Sequence, residues 1–132
     1  MEAEVFKDRF QVTATAIDER QHVNNLAYLE WCLQAAEKHW QRNAPKEIKE
    51  RYVWYVLRHE IDYRASAFEE DDLEIATWVS LAEGVKSERR FEIKRVSDGQ
   101  LLVEAKTLWC LLDGNTLKPT RIPEEIRILF LK

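Results

Sequence analysis

The residues of this chain best able to do chemistry lie in one short stretch, from Asp18 to Asn25. It contains a carboxylate at Asp18, an imidazole at His22 and two adjacent amides at Asn24 and Asn25. The start of a helix offers unpaired backbone N–H groups and the positive end of the helix dipole, which together can hold an oxyanion. A carboxylate at that position can act as a general base or as a nucleophile.

Each of these side chains also has an ordinary structural interpretation. Asp18 can accept hydrogen bonds within a turn, and Asn24 or Asn25 can cap a helix by accepting from its first free N–H groups. His22 can orient Asp18, hydrogen-bond a substrate carbonyl, or satisfy polar groups locally. Tyr28 lies one turn into the helical pattern, where it lines a substrate tunnel or packs in the core. The residue types alone leave these alternatives open.

Further along the chain, Lys86, Arg89 and Arg90 concentrate positive charge on one predicted strand. Arg binds phosphate groups well, so one interpretation is a site for a phosphorylated ligand. The other is a solvated strand face with acidic neighbours. Cys32 and Cys110 fall inside apolar patterns without a Cys or His at ligand spacing, so we expect buried free thiols and no metal site.

Length and composition predict one domain over residues 1–132, with a net charge of −4. A mildly acidic chain is a poor candidate for nucleic-acid binding. No apolar run approaches the ~20 residues that span a membrane, and the acidic N-terminus lacks the apolar segment of a signal peptide. The sequence therefore predicts a cytoplasmic protein that binds neither nucleic acid nor membranes.

The elements that must position these residues follow from hydrophobic periodicity. Alternation predicts a first strand from Phe10 to Ala16, and a helical pattern follows from Asn25 to about Arg42. An apolar stripe on that helix should face the core: Leu26, Leu29, Leu33, Ala36 and Trp40, widened by Ala27, Trp31, Cys32 and Ala35. The polar segment 44–51 predicts a connecting loop with a short turn.

Four more alternating segments then predict strands over residues 57–65, 73–81, 85–93 and 101–111. The Asp98-Gly99 pair predicts a tight hairpin turn, and Pro123 a short C-terminal helix. The order predicts an α+β domain, an antiparallel sheet of about five strands around one long central helix. Because one helix cannot cover both faces of such a sheet, we expect an oligomer.

The segment Gln21-His22-Val23-Asn24-Asn25, preceded by Asp18, resembles the hotdog-fold thioesterases, in particular the acyl-ACP and 4-hydroxybenzoyl-CoA thioesterase branches. The likeness continues through residues 59–64 and 121–125, so it covers essentially the whole chain. It implies a hotdog fold that works as a homodimer or a dimer of dimers. It also implies hydrolysis of acyl-CoA or acyl-ACP, in fatty acid metabolism, without a cofactor.

The resemblance places the family's catalytic carboxylate on Asp18 and its motif histidine on His22. This sequence departs from the acyl-ACP branch at Arg20, where that branch has asparagine. It also departs at Ser66 and Ala67, where the branch has glutamate and cysteine. These departures weaken the likeness to the plant-type enzymes. They leave untouched a mechanism centred on Asp18.

The leading hypothesis is a thioester hydrolase with Asp18 as base or nucleophile. Asn25 is a further catalytic candidate, and Val23, Asn24 and Tyr28 are candidates for substrate binding, with the N–H groups near residues 23–25 holding the oxyanion. One alternative is a non-catalytic hotdog that binds acyl-CoA, although binding alone does not require the carboxylate. The other is a hotdog hydratase or dehydratase, which places its Asp/His pair differently.

Overall fold

A computed structural model describes residues 2–132. The elements follow in this order: β1 (Phe6–Gln11), a 3₁₀ turn (Ala14–Ala16), α1 (Asn25–Asn43), α2 (Lys46–Arg51), β2 (Tyr52–Tyr63), β3 (Asp72–Glu83), β4 (Lys86–Arg95), β5 (Leu101–Asp113) and α3 (Glu124–Arg127). No helix in these residues is long and apolar enough to cross a membrane.

The five strands form one antiparallel sheet in the order β1-β3-β4-β5-β2. Tight turns join β3 to β4 at Gly84 and β4 to β5 at Gly99, where φ is +62° and +70°, values that glycine adopts without strain. Since β1 and β2 lie at opposite edges, the segment between them must cross the sheet, and α1 makes that crossing. This is the hotdog arrangement, so the predicted α+β fold is confirmed.

Helix α1 begins as predicted, because the Asn24 side chain accepts a hydrogen bond from the Leu26 N–H at 2.8 Å. Its buried side differs from the predicted stripe by about one residue, a rotation of roughly 100°. Leu26, predicted to be buried, is 71% exposed. The buried positions are Tyr28, Cys32, Ala35, Ala36 and His39. Small side chains at three of these positions let the helix lie close to the sheet.

Two other predicted elements are wrong. The first strand, predicted from Phe10 to Ala16, ends at Gln11, since its partner β3 begins opposite at Asp72. Beyond that point no ladder partner remains, and residues 14–16 close into a 3₁₀ turn. The predicted loop 44–51 contains helix α2, whose Ile48 is buried in a small cluster beneath β2 and β5.

A chain of hydrogen-bonded polar groups runs into the core from the partly exposed Glu4 through His39 to Arg89. His39 is fully buried, with Nε2 2.8 Å from Glu4 Oε1 and Nδ1 2.9 Å from Arg89 Nη1. Burial lowers the pKa of His39 to about 4. At pH 7 the neutral ring therefore donates to Glu4 and accepts from Arg89. Hydrogen bonds from Asn43 and His39 lower the pKa of Glu4 to about 2.

Acid should destabilise the fold through this polar chain. As the pH falls from 6.5 towards 4, His39 takes up a proton in the unfolded state but not in the folded state, so stability is lost. Below pH 4.5 the depressed pKa of Glu4 extends the loss. We expect calorimetry to show a Tm that falls between pH 7 and pH 4.5, and a flatter dependence in His39→Gln. Parallel curves for the two proteins would contradict this assignment.

Candidate active site

Residues 18–22 form a tight loop that fixes the Asp18 carboxylate. The Asp18 N–H donates to the His22 carbonyl at 2.8 Å, and Gln21 turns the chain in the left-handed region at φ 67°. Asp18 Oδ1 accepts from the N–H groups of Arg20 at 2.9 Å and His22 at 3.3 Å. Oδ2 accepts from no donor within residues 2–132. One oxygen therefore holds the loop, and the other is free to accept a proton.

Backbone hydrogen bonds fasten this loop to the helix start and to the segment after β2. The Val23 N–H donates to the Ala67 carbonyl at 3.2 Å, and the Ala67 N–H donates to the Tyr28 hydroxyl at 2.9 Å. The Asn24 N–H donates to the Ala16 carbonyl at 2.8 Å. Tyr28 is 2% exposed with its hydroxyl already engaged, which favours the core alternative over the tunnel.

Among the backbone N–H groups of residues 23–26, one remains without an acceptor in the part of the chain that the structure describes. The Val23 and Asn24 N–H groups are engaged as above, and the Leu26 N–H donates to the Asn24 side chain. The Asn25 N–H has no acceptor within residues 2–132. The predicted oxyanion donors of residues 23–25 therefore narrow to Asn25.

The His22 imidazole lies beside the carboxylate loop rather than on the carboxylate. Its ring is exposed and stands edge-on to Phe68, with 5.4 Å between centroids. His22 contacts Asp18 through its backbone N–H and carbonyl, and within residues 2–132 its ring makes no hydrogen bond to Asp18. The His22 ring therefore does not orient Asp18 in this arrangement, and its free nitrogens are available to a substrate.

The structure separates the three basic candidates from one another. Arg89 faces the interior and is 6% exposed, whereas Lys86 and Arg90 lie on the outer face of β4. Alternation along a strand puts neighbouring side chains on opposite faces, so Arg89 cannot join a surface patch for phosphates. That predicted role of Arg89 is wrong. Arg90 lies 3.2 Å from Glu88, and phosphate binding by Lys86 and Arg90 stays a prediction.

Arg95 organises the segment facing the helix start, a role that the basic pattern of its strand does not predict. Its Nη2 donates to the Ser66 carbonyl at 2.7 Å, and its Nε lies 3.1 Å from Asp71 Oδ2. Its guanidinium also lies 6.0 Å from the Phe68 ring centroid. These partners are distant in sequence, so no local pattern could have revealed them.

The site thus offers a fixed carboxylate with one free oxygen, a free N–H at a helix start and an exposed imidazole. Within residues 2–132 no group of three or more His, Cys, Asp or Glu side chains could hold a metal ion. Both cysteines are buried free thiols, as predicted, and burial raises the pKa of Cys32 to about 12. What the arrangement can do is activate water beside a group that stabilises negative charge.

Fold and site together define a hotdog protein with a carboxylate at the mouth of its central helix. A family model for the thioesterase-like superfamily matches residues 12–130. The chain therefore belongs to the thioesterase-like superfamily, which confirms the resemblance seen in the sequence.

Individual relatives agree with this placement. The chloroplastic acyl-[acyl-carrier-protein] hydrolase FATB3 of Cuphea viscosissima is 26% identical over 83 residues, which are 63% of this chain but 20% of that protein. The chain thus spans about a fifth of that relative's length. The 1,4-dihydroxy-2-naphthoyl-CoA thioesterase Slr0204 from Synechocystis superimposes with a TM-score of 0.84 at 20% identity, covering 96% of this chain and 95% of that one. The 12:0-ACP thioesterase from Umbellularia californica superimposes with a TM-score of 0.83 at 19% sequence identity. The superposition covers 97% of this chain and 51% of that one.

Replacing Tyr28 by Phe should destabilise the protein by about 1–3 kcal/mol, because the buried Ala67 N–H would lose its acceptor. Tyr52→Phe is the matched control, since within residues 2–132 the Tyr52 hydroxyl accepts only an exposed hydrogen bond, from Arg51 at 3.2 Å, and its loss should change stability by less than about 0.5 kcal/mol. Urea denaturation of both variants measures the difference. Equal stabilities would show that the Tyr28 hydroxyl does not tie the helix to residue 67.

Proposed function

We propose that this chain hydrolyses acyl thioesters carried on CoA or acyl carrier protein, with Asp18 as the catalytic carboxylate. The observation that carries the proposal is the loop at residues 18–22, which holds one Asp18 oxygen and leaves the other free beside a helix start. Membership of the thioesterase-like superfamily supports the same reaction. The relatives whose names specify a substrate act on acyl carrier protein or CoA thioesters, which supports these two carriers.

In the general-base form, Asp18 Oδ2 takes a proton from water while the water oxygen attacks the thioester carbonyl carbon. The carbonyl oxygen becomes an oxyanion, which accepts from the Asn25 N–H. The C–S bond then breaks, and the thiolate leaves and is protonated. In the nucleophilic form, Asp18 itself displaces the thiolate to give an anhydride, which water hydrolyses. Both forms need the carboxylate and no metal ion.

Asp18→Asn should lower kcat/KM by about 10²-fold or more, because the amide cannot take a proton from water. The amide oxygen can still accept the two N–H groups that hold the loop, so the fold should survive. Glu19→Gln, a change of the same kind at the exposed neighbouring residue, is the matched control and should keep its activity. Release of free thiol from a panel of acyl-CoA and acyl-ACP substrates, followed with a thiol reagent, measures both.

Near wild-type hydrolysis by Asp18→Asn would refute the mechanism. If the wild-type protein binds acyl-CoA but releases no thiol from any substrate, the non-catalytic acyl-CoA-binding alternative is the correct one.

We also propose that the chain works as a homodimer through the free edge of β2. This strand has twelve residues and pairs with β5 on one side only, so the other side presents unpaired N–H and C=O groups. Val53, Tyr55 and Leu57 are between 44% and 59% exposed along it. A long edge strand with exposed apolar side chains needs a partner, and a second copy of β2 fits it.

A two-fold axis makes the two β2 strands antiparallel, which brings the start of one beside the end of the other. Tyr63, at the end of β2, donates to the Asn25 carbonyl at 3.2 Å and so marks the helix mouth. Val53 and Trp54 lie at the opposite end of the strand. The dimer would therefore place residues 53–54 of one chain near the Asp18 site of its partner.

Leu57→Lys should convert the dimer to a monomer, because it puts a charge in the middle of the pairing edge. Val5→Lys, at a position that is 48% exposed and next to β1 at the opposite edge of the sheet, is the matched control. Light scattering at micromolar concentration should give twice the 15.7 kDa chain mass for the wild type and the control. A wild-type protein that is monomeric under these conditions would refute the edge pairing.

A further inference from the structure

A cavity of about 270 Å³ lies between the C-terminal half of α1 and the inner face of the sheet. We call it the distal cavity, because its helix residues begin at Leu33, roughly 12 Å along α1 from Asn25 at 1.5 Å per residue. Most of its walls are apolar, including Leu33, Ala36, Trp40, Val79, Ile126 and Phe130. It is large enough for a medium-length acyl chain or an aryl ring, since cavities of about 150 Å³ bind benzene.

Two charged residues, Glu37 and Arg127, also line the cavity, and further polar groups lie on the floor formed by β4 and β5. Ser87 and Arg89 both face inwards from β4, two residues apart, and Ser87 pairs directly with Trp109 of β5. All three side chains line the distal cavity. Ser87 is 6% exposed, as is Arg89, so a hydroxyl, a guanidinium and an indole meet on the floor of a mostly apolar space.

These groups hold unused hydrogen-bond donors. Arg89 Nη1 donates to His39 Nδ1 at 2.9 Å and to Thr77 Oγ1 at 3.3 Å. Its Nε and Nη2 have no acceptor within residues 2–132. The Trp109 indole N–H is buried and has no acceptor there either. The Ser87 hydroxyl likewise makes no hydrogen bond in that part of the chain. Buried donors are normally satisfied, so the buried Trp109 N–H, with the unengaged Arg89 and Ser87 groups beside it on the cavity floor, calls for an acceptor.

The charge of Arg89 also favours an oxygen acceptor in the distal cavity. No carboxylate pairs directly with its guanidinium in residues 2–132, because His39 stands between it and Glu4. Burial lowers the pKa of Arg89 to about 10, which still leaves it charged at pH 7. A buried guanidinium without a direct anion is the group best matched by a carboxylate or another oxygen acceptor.

We propose that the distal cavity receives acyl groups whose far end carries an oxygen acceptor, a carboxylate above all, seated on Arg89, Ser87 and Trp109. This specificity rests on the proposed thioester hydrolysis. The cavity reaches the surface at the exposed residues Glu37 and Val53, beside the β2 edge. In the antiparallel dimer that opening adjoins the partner's helix mouth, so the thioester would lie at Asp18 of the partner and the far end on Arg89.

The test compares eight-carbon substrates that differ only at the far end. Octanoyl-CoA ends in a methyl, and its counterparts end in a hydroxyl or a carboxylate. We expect the wild type to show at least about tenfold higher kcat/KM for the ω-carboxyl substrate than for octanoyl-CoA, with the hydroxyl between them. Arg89→Met should abolish the preference, measured as the ratio of the two kcat/KM values within the variant. Ser87→Ala, a smaller change, should reduce the preference if Arg89→Met fails to fold.

Lys94→Met is the matched control, since Lys94 is exposed on the outer face of the same strand and should leave the preference intact. Uncleavable thioether analogues, S-octyl-CoA and S-(7-carboxyheptyl)-CoA, measure binding by calorimetry independently of turnover. Tighter binding of the carboxyl analogue that depends on Arg89 or Ser87, without any hydrolysis, would refute the proposed function but support the cavity's specificity. Hydrolysis with equal rates and equal binding for both ends would overturn this inference alone.

Discussion

Two hydrogen bonds at the buried residue Ala67 hold the candidate active site together. Its carbonyl accepts from the Val23 N–H, and its N–H donates to the Tyr28 hydroxyl. Unpaired backbone groups in a core are costly, so this contact fixes where the helix start lies relative to the sheet. The Asp18 loop is attached to that start and inherits its position. The turn at residues 18–22 can therefore orient the Asp18 carboxylate only because Ala67, almost fifty positions away in the sequence, holds the helix start in place.

The features that the sequence predicts well are those set by neighbours in the chain. The strands β3, β4 and β5, the helix start at Asn24 and the hairpin at Gly99 all follow from period, capping and turn chemistry. The failures lie where tertiary contacts decide. Residues 14–16 leave the sheet because no partner strand remains, and Leu26 is exposed because the sheet contacts a face of α1 turned by about one residue.

The same division holds within the site. The turn at Asp18 and the cap at Asn24 are local and could be anticipated from residue types. Arg95 pairs with the nearby Asp98, but the residues it secures at the site, Ser66 and Asp71, lie on a separate segment and gave no local signal. Arg89 was misread for a different reason. The excess of positive charge on its strand suggested a surface, while the alternation with Phe91 placed it inside.

The two ends of α1 lie next to groups of opposite charge. At its start, the positive end of the dipole and the free Asn25 N–H favour negative charge, which suits an oxyanion. Near its C-terminal end the dipole is negative, and there the chain buries the cation Arg89, linked through neutral His39 to Glu4. Because His39 lies between Arg89 and Glu4, the guanidinium has no direct anion. Its Nε and Nη2 make no hydrogen bond within residues 2–132. An apolar side chain at position 89 would stabilise the core at least as well, because burying a charge usually costs more in desolvation than its contacts return. The Arg89 guanidinium faces a cavity rather than a carboxylate, which is the arrangement that the proposed seating of an oxygen-bearing acyl end requires.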